Sequence, residues 1–350
     1  MDFFRPICAI LSATLLCALV GSAGADTAYF VRGNYLTRFD GQDALPLGHQ
    51  LAGPGSKEAM DFATIWGNFP DGSVLVTLRP NKSAAAADTD TCEHAPEGGA
   101  IALIKSDGTL ADTVTTNALR AFPCAATGAI ALISQDRDLT IWKSGATTRI
   151  AAPGRVSNLG WSPDGTKAVL AVYPPDWSVQ AVNNARTTAE FLRLQSCNLY
   201  LLDATTLVVG EKLTDNDGTN YGPFFSPDGQ TLYFTWLHPT ENRGGLMRLP
   251  LGQPGAKPTQ ITEAGQGPGQ APVARVGTYV WQRGGTELIY ETGVPDGSGE
   301  IWTIGSAGGP ARKLSAGRHP QRLTDTAVAF SDNEGKPVKL DLNSRPGGTQ

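Results

Sequence analysis

A short phrase returns along this chain. It reads Trp161-Ser162-Pro163-Asp164-Gly165 and Phe225-Ser226-Pro227-Asp228-Gly229, with a shorter form at Phe69-Pro70-Asp71-Gly72 and a degenerate one at Trp281-Gln282-Arg283-Gly284-Gly285. After each comes a strand-like segment: Ser73–Leu78, Lys167–Val172, Thr231–Trp236 and Glu287–Tyr290. Pro presets φ at the first corner of a turn, Asp bonds its own backbone, and Gly accepts φ > 0. An aromatic therefore ends one strand, the turn reverses the chain, and a β-branched or aromatic strand returns. Recurrence at a long, loose period is the mark of a repeat architecture.

A third strand type recurs as well, at 34–41, 100–104, 139–142, 198–203, 246–249, 300–304 and 338–342, and short fourth strands follow at 211–214, 259–262 and 312–315. Four short antiparallel strands repeated radially make an all-β β-propeller, whose blades bury their faces only against one another. Five blades are predicted at 60–118, 119–152, 155–215, 220–263 and 275–316. Residues 27–48 and 318–342 supply strands at the two ends; merged into one closing blade they give six blades, and counted separately they give seven. Seven is the count favoured.

The long insertions, Pro80–Gly98, Pro174–Ser196, His238–Gly244 and Val294–Gly299, all fall between a second and a third strand. They are predicted to gather on one face, opposite the Pro-Asp-Gly turns. Elaborated loops on a rigid scaffold are where binding usually sits. In the largest, Val179–Leu194 has helical spacing through Ala181, Ala185, Ala189 and Leu192, and a short helix is expected there.

The stretch Tyr221–Thr235 resembles the TolB-type, WD40-like propeller repeat, and so does Val156–Ala171. Glu300–Ile304 followed by Gly308-Gly309-Pro310-Ala311-Arg312-Lys313-Leu314 resembles the second half of that repeat. The motif is specific for the propeller class and for no activity. TolB carries a separate α/β domain ahead of its propeller. Here repeat-like strands start within a few residues of Ala25, so the resemblance implies a TolB-like propeller alone, over residues 26–350.

Residues 1–25 read as a signal peptide. Ile7 to Val20 is apolar but short for a membrane span, and Ala23-Gly24-Ala25 is a small-x-small cleavage site. A lipoprotein reading would modify Cys17, but the preceding Leu16 is bulky where a small residue is needed. The expected location is periplasmic or secreted, with no membrane span after cleavage. The net charge of −5, without basic clusters, gives no footprint for nucleic acid, and 41 Gly with 24 Pro suit a turn-rich all-β chain.

No catalytic constellation stands out. Gly160-Trp161-Ser162-Pro163-Asp164 lacks the closing Gly of a nucleophile elbow, and His49, His94, His238 and His319 are too scattered to suggest a metal site. Asp215-Asn216-Asp217-Gly218 lacks the downstream Glu of a calcium loop, and the Gly-rich stretch 264–277 lacks the Lys-Ser/Thr of a phosphate loop. No cofactor is expected. The function expected is a non-catalytic, exported binding propeller of the bacterial envelope with a protein partner on its loop-rich face; the alternative is a propeller enzyme acting on a carbohydrate or lactone at the channel mouth. Candidate partner-binding residues are Asp176, Trp177, Arg186, Glu190 and Arg193 in the largest insertion, with His238, Glu241, Asn242 and Arg243 in the next blade's loop. Of the three cysteines beyond the signal peptide, Cys92 and Cys124 are expected to form a disulfide, on the premise that both lie on the loop-rich face, and Cys197 to remain a free thiol.

Overall fold

The computed structural model describes residues 27–32, 35–48, 51–52, 59–80, 100–116, 118–216, 218–238, 243–253, 255–263, 276–293 and 299–343. The fold is an all-β propeller of seven antiparallel blades, as the repeats predicted. The described residues pack as two compact units, 118–276 and 27–116 with 277–343.

The first unit holds three four-stranded sheets. They comprise β9–β12 (Arg120–Pro123, Ile130–Ile133, Leu139–Lys143, Ala146–Ile150), β13–β16 (Val156–Trp161, Lys167–Val172, Asn198–Asp203, Val208–Lys212) and β17–β20 (Thr219–Phe225, Thr231–His238, Arg243–Pro250, Thr259–Glu263). In each, sequence neighbours pair in order, so every sheet is a simple meander. Alternation along β14 sends Val169 and Ala171 into a core shared with Phe225, Leu232 and Phe234 of the next sheet. The motif aromatic Trp161 ties back to the preceding sheet, its Nε1–H donating to the Phe122 carbonyl at 2.9 Å.

The second unit holds β1–β3 (Ala28–Arg32, Tyr35–Phe39, Ala44–Gly48), β4–β8 (Leu51–Ala52, Ala59–Asn68, Val74–Pro80, Ala100–Ile104, Leu110–Thr115), β21–β24 (Val276–Gln282, Glu287–Gly293, Gly299–Gly305, Arg312–Ala316) and β25–β27 (Arg318–Thr324, Ala327–Ser331, Pro337–Asp341). The end segments thus form two separate three-stranded sheets. Strand β1 explains why they need not merge. Its even positions, Ala28 and Phe30, pack against Leu323, Ala327 and Ala329 of the last sheet, while Tyr29 and Val31 pack into the core of Phe62, Val74 and Val76. One strand with period-2 alternation therefore serves two neighbours. The short β4 is a strand that the repeat pattern did not announce, and it makes its sheet five-stranded.

The three Pro-Asp-Gly phrases form the same turn, whereas the degenerate one makes a 3₁₀ turn over Arg283–Gly285, with Thr286 N–H donating to Arg283 O at 3.3 Å. Gly165 N–H donates to Ser162 O at 2.9 Å, Gly229 N–H to Ser226 O at 2.9 Å, and Gly72 N–H to Phe69 O at 3.0 Å. The glycines have φ of 69°, 69° and 81°, the left-handed region that costs a side-chain-bearing residue about 1–2 kcal/mol. Each Asp closes its turn from within: Asp164, Asp228 and Asp71 accept the backbone N–H groups of Thr166, Gln230 and Ser73. The Ser hydroxyl beside each carboxylate, then these backbone N–H bonds, hold all three below the usual carboxylate range.

Candidate functional site

The largest insertion joins β14 to β15, so it does leave its sheet at the end opposite the Pro-Asp-Gly turn. The single helix expected over 179–194 is instead two short helices, α1 (Val179–Asn184) and α2 (Thr188–Gln195). The break has local causes. Asn183 and Asn184 are weak helix formers, and Thr187 is a better start than a continuation, its hydroxyl accepting Glu190 N–H at 3.1 Å. Glu190 in turn reaches back to accept Arg186 N–H at 3.0 Å. Ser178 caps α1 in the same manner by accepting Ala181 N–H at 2.9 Å. The pair builds its own small core from Val182, Phe191 and Leu194, with Trp177, Ala181 and Ala185 packed on it.

Two contacts hold this helical hairpin together and to its sheet. Arg193 grips Asp176 through two parallel bonds of 2.9 and 2.6 Å, and both side chains are more than half exposed. These bonds with Arg193 hold the Asp176 carboxyl below its ordinary range. Trp177 stacks on Tyr173 with ring centroids 4.6 Å apart and planes 13° apart. The Arg137 guanidinium lies 5.0 Å from the Trp177 ring and 5.5 Å from the Tyr173 ring. Such a cation over aromatic faces contributes about 0.5–2 kcal/mol.

Beneath the stack is a buried polar layer. Cys197 is a free, buried thiol within 3.5 Å of the Ser157 hydroxyl. Arg120, also buried, donates from Nη1 to Ser157 O at 2.9 Å. Asn220, fully buried, donates from Nδ2 to Cys197 O at 2.7 Å. Burial pushes the Cys197 thiol up to about 11 and the Tyr173 phenol up to about 12, so both stay protonated in the neutral range. The layer is thus a set of neutral donors and acceptors with two guanidiniums, Arg120 and Arg137, within electrostatic reach of Tyr173.

The predicted site residues fall into three groups. Asp176, Trp177, Arg186, Glu190 and Arg193 share the insertion, but Glu190 is used in capping and Trp177 in anchoring. His238 ends β18, buried, with its ring 6.4 Å from Trp236 in an edge arrangement. Arg243 pairs with His238 across the β18–β19 register, while Glu241 and Asn242 lie outside the described residues.

The expected disulfide has one end, Cys92, outside the described residues. Cys124 is a free, buried thiol, and its place differs from the expectation. It opens the β9–β10 turn, where Cys124 O accepts Gly128 N–H at 2.9 Å, and its Sγ sits against Gly165 of a Pro-Asp-Gly turn. That is the short-turn end of its sheet, not the end bearing the long insertions.

Sequence reasoning missed Arg120, Tyr173 and Arg137. For Arg137 a signal was present: Ser134-Gln135-Asp136-Arg137-Asp138 makes the same turn as Phe69-Pro70-Asp71-Gly72-Ser73. Arg137 N–H donates to Ser134 O at 2.9 Å, and Arg137 holds the glycine's place with φ 60°. Among the described residues no three His, Cys, Asp or Glu side chains come close enough to hold a metal ion, and no helix is long and apolar enough to cross a membrane.

No family model matches the chain, and no curated protein does. Solved structures do match in fold. Hydrazine synthase of Kuenenia stuttgartiensis matches with a TM-score of 0.63 at 8% identity, over 95% of this chain and 97% of that one. A chain of the mitotic checkpoint complex matches with a TM-score of 0.56 at 10% identity, over 93% and 87%. A protein described as a TolB from Agrobacterium tumefaciens matches with a TM-score of 0.49 at 16% identity, over 79% and 86%. At these identities the likeness is one of fold alone.

Proposed function

We propose that the chain is an exported, non-catalytic binding propeller of the bacterial envelope that engages a protein partner through the insertion-bearing ends of its blades. The observation that carries this is the α1–α2 hairpin. A connection between adjacent antiparallel strands needs only a few residues. Here it has two capped helices, a private core of Val182, Phe191 and Leu194, and an anchoring stack, none of which the β14–β15 pairing requires. The outer surface it presents includes Val179, which is 64% exposed, and the exposed Asp176, Arg186 and Arg193 of the same insertion. Apolar and arginine side chains on a preorganised support are the usual ingredients of an interface. That a chain of this fold occurs in the mitotic checkpoint complex, by name an assembly, is in keeping with the reading.

Export rests on the leader-like sequence of residues 1–25. The test is capture from periplasmic extract by the intact chain, a chain lacking residues 180–194, Trp177→Ala and Arg243→Ala, with Asp164→Ala and Asp228→Ala as controls at the short turns. The expected result is loss of the captured partner with the insertion variants alone. Retention by them, with loss at the short-turn variants, overturns the reading.

A further inference from the structure

Arg137 is a costly choice for its position. The turn asks for glycine, and the equivalent Gly72 has φ 81°, yet here a bulky side chain is held at φ 60°. Strain of this kind persists where the side chain is needed. The charge around it is also unbalanced. Asp138, next in sequence, spends its two oxygens on Arg155 at 2.7 Å and Arg149 at 2.9 Å. Asp136, in the same turn, is exposed and in no ion pair with the described residues. Arg137 therefore rests on the aromatic faces of Tyr173 and Trp177 with no carboxylate partner among the described residues.

The second observation lies on the other side of the same contact. The Trp177 indole N–H is buried and has no acceptor among the described residues. A buried, unmet donor is rare because it forfeits its hydrogen bond to water. So one contact combines a strained backbone, a surplus guanidinium and an unmet N–H, with 5.0 Å between the guanidinium carbon and the indole ring. A carboxylate has two oxygens, one for each of these two donors.

We propose that Arg137 and Trp177 form a recognition site for a carboxylate, which accepts from the guanidinium with one oxygen and from the indole N–H with the other. That N–H is buried, so binding requires the side chains that cover it to give way. The proposal deepens the partner-binding reading, and rests on it for identifying the carboxylate as an acidic side chain of the partner. The neutral Tyr173 phenol adds no competing negative charge.

The experiment uses the full mature chain with ¹⁵N-labelled indoles, the Trp177 resonance being assigned with Trp177→Phe. Two probes are titrated: acetate, and a short polyglutamate peptide with blocked ends. The expected result is a saturable downfield shift of the Trp177 N–H. Arg137→Gly, whose relief of the φ 60° strain offsets loss of the cation–aromatic contact, is expected to weaken binding about tenfold or more through loss of the charged donor. Arg137→Lys should restore part of it. A shift with both probes supports a site that also takes small carboxylates; a shift with the peptide alone supports the partner's side chain as the source. No shift with either probe, or a shift unchanged in Arg137→Gly, overturns the proposal. Because no partner is present in the titration, a failed capture experiment leaves this result standing, and the two readings fall separately.

Discussion

The side-chain amide of Gln321 holds the backbone of Tyr29 from both sides, across 292 residues of chain. Tyr29 N–H donates to Gln321 Oε1 at 3.0 Å, and Gln321 Nε2 donates to Tyr29 O at 2.6 Å. The amide thus does what a paired strand would do, without a shared sheet. Tyr29 continues the link through its hydroxyl, which donates to Gly72 O at 3.0 Å. One residue of the first sheet therefore joins the last sheet to the second.

Gln321→Ala should accordingly be among the more damaging polar substitutions in the chain. It leaves a buried N–H and a buried C=O unmet, at a cost of about 1–3 kcal/mol each. The expected loss is about 2–4 kcal/mol in urea unfolding. Tyr29→Phe, which loses only the bond to Gly72 O, should cost about 1 kcal/mol. Indistinguishable midpoints for Gln321→Ala and the parent would show that apolar packing alone joins these sheets.

Two glycines of the repeats should respond differently to the same change. A Cβ on Gly160 would lie 1.9 Å from Pro223 O and 2.7 Å from Pro223 C, backbone atoms of the neighbouring sheet. Neither can give way without parting the sheets. Gly229 has only Pro163 Cδ nearby, at 3.7 Å, so its demand is conformational, from φ 69°. Gly160→Ala should cost several kcal/mol or prevent folding, whereas Gly229→Ala should cost about 1–2 kcal/mol and leave the fold intact. Thermal unfolding of the two purified variants makes the comparison; equal losses would refute it.

These relationships mark the limit of what the sequence shows. The turns at Gly72, Gly165 and Gly229 were legible because Pro, Asp and Gly restrict neighbouring dihedrals, so five blades and the address of the insertions followed from local chemistry. The blade count did not follow as firmly, because it depends on contacts such as Gln321 with Tyr29 that no local pattern encodes. The helix over 179–194 was misread since its alanine spacing spans the break, whereas the Thr187–Glu190 cap that creates the break is a weaker signal. The face assigned to Cys124 went astray because its short turn carries no Pro-Asp-Gly. At the candidate site, the insertion was visible and its anchor was not: Arg137 meets Trp177 from another sheet.

The helical insertion should separate into an anchor and a clasp. Trp177 is packed on Tyr173 and on the private core, so Trp177→Ala should loosen α1 and α2 and raise their hydrogen exchange. The Asp176–Arg193 pair is exposed, and such pairs contribute about 0–1 kcal/mol, so Arg193→Ala should leave global stability nearly unchanged. Exchange of the α1 and α2 amides at the global unfolding rate in Trp177→Ala would disprove the division.

The last prediction concerns alkaline pH. Burial raises the Cys197 thiol from an ordinary 9.0 to about 11, with the hydroxyls of Ser157 and Thr219 opposing that rise only in part. The folded state thus binds this proton more tightly than the unfolded state does. The stabilisation is complete below the unfolded-state value and is lost as pH rises from there through the folded-state value. Two units correspond to about 3 kcal/mol at most. Stability should therefore fall between about pH 9 and 11, and Cys197→Ala, less stable at neutral pH because of its cavity, should show a shallower fall. Tyr173, pushed by burial from 10.0 to about 12, adds its own loss from about pH 10 upward, so the part that belongs to Cys197 is read from the difference between the parent and Cys197→Ala. The same burial should keep Cys197 unreactive toward iodoacetamide at pH 8.5 until the chain unfolds. Parallel pH profiles for the parent and Cys197→Ala, or native-state alkylation of Cys197 as fast as in urea, would remove the thiol from this account.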